Sequence, residues 1–191
     1  NRGRRLEHLD TLAELAGEGR LSGIPGWHVA GDGAVDVLQK TYRKYMSDDR
    51  ISNLRIQADH CFGIRPDQIQ MAARLGQTFA CNFDTENTRI IEKDYGEEYL
   101  AWNAPVASML KAGVNTVLGS FGTYGRERYS PFEDGVNWLT REDDEGVPWG
   151  LKEEAVPDRL TLLLMMTRFG GHPLWRENAL GSIEPGKLAR S

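Results

Sequence analysis

Apolar positions recur at helical spacing near the amino end, where Leu6, Leu9, Leu12, Ala13 and the Leu15–Ala16 pair mark one face and Gly17 and Gly19 close it. After that helix, "IPGWHVAG" reads as a short strand. Asp32 then stands where a helix cap belongs, and Ala34, Val35, Leu38, Tyr42 and Tyr45 form the next apolar face. "NLRIQADH" alternates like a strand and leads into "RPDQIQMAARLG", a helix with a proline at its start and a glycine at its stop. "QTFACNF" is a third strand. "EEYLAWNAPVASMLKAG" is a helix broken at Pro105, and "VNTVLGS" is a fourth strand. "PFEDGVNWLTRE" and "DRLTLLLMMTRFGG" again have helical spacing, and the polar, proline-bearing "DDEGVPWGLKEEAVP" between them reads as a surface loop.

Strands alternating with helices in this way predict an α/β fold of right-handed parallel units, with strands near residues 26–30, 54–59, 78–82 and 114–119. The pattern is compatible with an open sheet of parallel strands or with half of an eight-stranded barrel. Over 191 residues it reads as a single domain, 1–191. Net charge is −5, and the arginines are scattered among acids, so neither nucleic acid nor an anionic membrane is an expected partner. The longest apolar runs fall well short of a membrane span. Two cysteines, Cys61 and Cys81, form neither a disulfide framework nor a zinc spacing. Both read as small buried residues, and a reducing, cytoplasmic setting is the expectation.

Parallel α/β proteins present their chemistry at strand carboxyl ends. His28 and His60 fall at two such ends, one strand apart, where they are either two ligands of one metal ion or a hydrogen-bonded buried pair. Asn82 ends the third strand at the same level and is a candidate substrate contact, or else a turn residue. Asp59 neighbours His60, so its side chain should point to the other face. His8 reads as a boundary residue and His172 as a turn residue. Phe121 stands at the tip of the fourth strand, in "LGSFGTYG", where a polar group would be expected.

These segments resemble the second half of a metal-dependent amidohydrolase, in the branch that includes N-substituted formamide deformylases. "WHVAGDGAVDVLQKTY" is similar to that branch's "HAIGDRAID", "LRIQADHC" to "RIEHA", "LKAGVNTVLGSFGTYG" to "LDAGVRVALGSDAP", and "GSIEPGKLA" to its closing signature. The resemblance implies the second half of a TIM-like barrel without the small β-sandwich that follows it, and hydrolysis of an amide or related C–N bond. It also implies a divalent metal, zinc by expectation, held in part by His28 and His60. The family's remaining histidine ligands would lie before residue 1, and its strand-tip aspartate is replaced by Phe121. Two imidazoles alone would hold a metal weakly. The expected partners are therefore a small amide-type substrate and a complementary half-barrel chain or a second copy. Val117, Leu118, Phe121 and Phe79 are the candidate side chains for an exposed apolar sheet face. A non-catalytic half-barrel kept for packing or binding is the alternative.

Overall fold

In a computed structural model of the chain, residues 2–21, 23, 26–82, 90, 93–119, 130–143 and 145–188 are described. Phe121, with its expected strand-tip role, lies outside them.

Helix α1 (Arg2–Gly17) packs against α2 (Asp32–Tyr45), which follows the two-residue strand β1 (Trp27–His28). Val35, Leu38 and Tyr42 give α2 its buried stripe, and Arg43 and Lys44 in the last turn complement the helix dipole. A short α3 (Asp48–Ser52) leads to β2 (Gln57–His60). Helix α4 (Pro66–Arg74) has proline at its first position and a capping box in which Gln68 Oε1 accepts from the Arg65 backbone N–H at 3.1 Å. Strand β3 (Thr78–Asn82) follows directly. The chain then gives α5 (Glu97–Leu100) and, after the break at Pro105, α6 (Val106–Lys111) and β4 (Asn115–Gly119).

The sheet order is β1-β2-β3-β4 and every pairing is parallel, as the alternation of elements predicts. Register aligns His28 with Asp59, His60 with Cys81, and Asn82 with Gly119. Beyond β4 lie α7 (Pro131–Thr140), α8 (Arg159–Met166) and α9 (Arg168–Gly171), so the predicted last helix is divided at Thr167. Asp158 caps α8, its carboxylate accepting from the Thr161 backbone N–H at 2.8 Å.

Two expectations need correction. The segment between α7 and α8 is not merely a surface loop. It carries a 3₁₀ turn (Lys152–Glu154) and buries Trp149 and Val156. Its anchor is Arg141, fully buried, whose guanidinium lies 4.0 Å from the Trp149 ring centre and donates to the carbonyls of Asn103, Ala104 and Leu151. Nor is Phe79 on an exposed sheet face. Alternation puts it on the same side as Cys81, and it is fully buried in the main core with Ala58, Leu75 and Met109. Val117 is also buried, and Leu118 packs partly against that core. The opposite face carries the half-buried Gln57, Asp59 and Asn82.

The carboxyl-terminal segment is clasped to the start of β2 by Arg55. Its guanidinium donates to the His172 carbonyl at 2.7 Å, pairs with Glu177 at 2.7 Å and lies over the Trp175 ring at 4.1 Å. His172 thus serves a turn, as expected. No helix among the described residues is long and apolar enough to cross a membrane.

Candidate metal centre

Parallel pairing brings the carboxyl ends of β1, β2 and β3 close together, each one register position beyond the last, and these three ends carry polar side chains that meet. His60 Nε2 lies 2.8 Å from His28 Nε2 and 3.0 Å from His28 Nδ1, with ring centres 4.0 Å apart and ring planes at 83°. Asn82 Nδ2 lies 3.1 Å from His60 Nδ1. The three residues singled out in the sequence therefore form one row, His28–His60–Asn82. Asn82 touches an imidazole, and its carboxamide oxygen lies against Gly119, where any side chain would collide with it.

His60 is buried and His28 exposed, so the row runs from the interior to solvent. The Phe62 ring stacks on His60 with centres 5.4 Å apart. His60 and Cys61 have φ of 87° and 62°, so two consecutive non-glycine residues sit in the left-handed region. By register His28 shares a face with Asp59, and alternation along β2 alone would put His60 on the other face; the left-handed turn accompanies the approach of the His60 imidazole to His28. Asp59 accepts from Gln57 Nε2 at 3.0 Å.

The two cysteines are not free. Cys61 and Cys81 are joined by a disulfide, with Cα atoms 5.0 Å apart and both residues fully buried. Two cysteines 20 positions apart carry no sign of this bond in their spacing. The usable signal was strand register: His60 opposite Cys81 places Cys61 beside Cys81, within the span a disulfide bridges.

Two ligating nitrogens of a tetrahedral zinc site stand about 3.3 Å apart, given Zn–N bonds near 2.0–2.1 Å. The imidazole spacing observed is a few tenths of an ångström shorter, so the pair fits two positions of such a site after a small rotation. With the Asn82 amide donating to Nδ1, the His60 proton sits on Nε2 and points to His28. Turning that amide over makes it the acceptor of Nδ1–H and frees the Nε2 lone pair for a cation. Among the described residues, no group of three or more His, Cys, Asp or Glu side chains is arranged to hold a metal. His8 is exposed and borders the same cavity as His28.

That cavity, of about 1030 Å³, opens beside His28 and is walled mainly by Leu9, Trp27, Val37, Leu38, Tyr95 and Tyr99. The Tyr95 and Tyr99 rings stack with centres 5.1 Å apart. Burial, and then the nearby Asp32 carboxylate, hold the Tyr99 hydroxyl above its ordinary pKa, so it remains a donor. Asp32 is not a capping residue; Gly31 occupies that position. Asp32 instead pairs with Arg65 at 2.7 Å, and Arg65 also binds Asp36 at 2.9 Å and Asp67 at 3.0 Å. Gln68 Nε2 donates to Asp36 Oδ1 and to the Asp32 carbonyl, each at 2.7 Å. This cluster ties the first turns of α2, where Asp32 borders the cavity, to the start of α4.

The profile of the amidohydrolase family matches residues 6–189. Among solved structures, the chain is similar to an uncharacterized metal-dependent hydrolase from Pyrococcus furiosus, with a TM-score of 0.65 and 20% identity over 95% of this chain and 35% of that one. A second, from Pyrococcus horikoshii OT3, gives 0.63 and 20%, covering 84% of this chain and 31% of that one. A triazine hydrolase variant gives 0.59 and 20%, covering 95% and 37%. The chain thus spans about a third of the length of each of these three structures. A search of curated proteins gives no match.

Proposed function

The chain belongs to the amidohydrolase family, and from that premise we propose that it forms the part of a metal-dependent hydrolase that acts on an amide or related C–N bond. The observation carrying this is the pair of imidazoles 2.8–3.0 Å apart on adjacent strand tips. His28 and His60 would hold a divalent cation, zinc by the chemistry of neutral imidazole ligands. The chemistry a divalent cation supplies in such a place is Lewis-acid polarisation of a carbonyl and activation of water. Asn82 orients His60 and sets which ring nitrogen carries the proton. Through that position it also borders any substrate carbonyl brought to the pair. The cavity beside His28 receives the substrate's apolar portion, with Tyr99 as a hydroxyl donor at its edge.

The segment resemblance favours the N-substituted formamide deformylase branch. In this reading the chain is the second half of a TIM-like barrel, over 1–191, and the other ligands come from outside the described residues or from a complementary half-barrel chain or a second copy. We propose a cytoplasmic setting, in which the buried disulfide meets cellular dithiols only through local opening of the turn that carries it. The test is zinc-dependent release of amine from a panel of N-substituted formamides, by the chain alone and with any companion half. Amine release lost in His60→Ala supports the proposal; hydrolysis unaffected by that change or by chelators contradicts it.

A further inference from the structure

The Cys61–Cys81 bond sits against the imidazole row on both of its chain connections. Cys61 directly follows His60. Cys81 is the register partner of His60 and directly precedes Asn82, the residue bonded to His60 Nδ1. The bond therefore joins the backbone of the ligand to the backbone of the residue that orients it. It does so where His60 and Cys61 both hold a left-handed conformation that non-glycine residues adopt only when their surroundings enforce it. Beside the β2–β3 ladder, which ends at the His60–Cys81 pair, the turn is tied by the Ala104 N–H to the Cys61 carbonyl and the Gly31 N–H to the Phe62 carbonyl, both at 2.8 Å. Past that last ladder pair, the disulfide is the covalent link between the two strand tips.

We infer that the disulfide is a positioning bond for His60. Closed, it holds the His28–His60 pair in a geometry that takes up a divalent cation; opened by an external dithiol, it lets the pair loosen and release it. This rests on the reading of the pair as metal ligands. The exchange balances: the dithiol gives up two electrons and two protons and closes to its own disulfide, while each cysteine sulfur gains one electron and one proton. Once the covalent tie between the strand tips is gone, residues 60 and 61 can leave the left-handed region, and the His60 ring turns away from His28.

Cobalt(II) titration of oxidised protein, of protein reduced and freed of reductant under anaerobic conditions, and of the Cys61→Ala/Cys81→Ala variant tests this. Imidazole ¹⁵N shifts are recorded on each metal-free form. The expected result is cobalt affinity at least about tenfold weaker in the reduced and variant proteins, with shifted His60 resonances. Equal affinity with unchanged His60 resonances overturns the inference. So does tighter binding on reduction with a thiolate charge-transfer band, which would make the cysteines ligands instead. Should no form take cobalt, the metal reading itself fails, and the ¹⁵N shifts decide: unchanged shifts on reduction overturn the positioning role, and altered shifts uphold it. If the double variant does not fold, the reduced native protein carries the same comparison.

Discussion

Replacing Gly119 by alanine should weaken metal binding without touching a ligand. A Cβ at Gly119 would strike the carboxamide oxygen of Asn82 and stand 3.4 Å from its Cγ. The obstacle is the far end of a flexible side chain, so the chain can accommodate alanine by swinging the amide aside. Doing so breaks the 3.1 Å contact between Asn82 and His60 Nδ1, and with it the turned-over arrangement in which the amide would hold the Nδ1 proton and leave Nε2 for the cation. A hydrogen bond of this kind is worth about 1 kcal/mol net, which corresponds to roughly a fivefold loss in the affinity of the oriented imidazole. Second-layer contacts to metal-bound histidines raise that toward tenfold or more. Cobalt titration of Gly119→Ala, Asn82→Ala and the double variant forms a cycle. The double variant should bind no worse than Asn82→Ala, within about 0.5 kcal/mol, because the alanine has nothing left to displace. Additive losses, or an effect of Asn82→Ala with none of Gly119→Ala, would refute the chain of contacts from β4 through Asn82 to His60.

Phe79→Ala should lower stability to denaturant by about 3–5 kcal/mol, as expected for a fully buried aromatic; a loss below about 1 kcal/mol would return Phe79 to an exposed sheet face. The clasp at Arg55 should show in acid. Arg55 hydrogen-bonds Glu177 and holds its carboxyl down to about 2 from an ordinary 4.5. Between those values the unfolded chain binds the proton and the folded chain does not, so stability is full above the higher value and is lost as pH falls toward the lower. Melting temperature followed from pH 5 to pH 2 should fall less steeply in Glu177→Gln than in the native protein, and equal slopes would count against the clasp.

The sheet was legible because strand and helix periods alternate cleanly and each helix carries its own stop, as with Gly76 after α4 and Gly113 after α6. The meeting of His28, His60 and Asn82 was legible in outline, since each ends a strand. What alternation could not show was the left-handed turn at His60 and Cys61, which depends on tertiary ties, or the disulfide, which depends on register between strands. Phe79 was misplaced for a related reason. A strand covered by helices on one face and partly covered on the other gives a nearly unbroken apolar run, in which the two faces read alike. Arg141 was hidden because a charged residue at a helix end ordinarily reads as surface, and its burial depends on carbonyls of α6's approach and on Trp149.

The proposed function requires His28 and His60 to share one divalent cation. Its most direct test is the metal content of the native protein and of His28→Ala/His60→Ala after dialysis against excess zinc, with circular dichroism confirming that both are folded. Bound zinc is expected in the native protein, and its loss in the double variant. Equal zinc in the two proteins would contradict it.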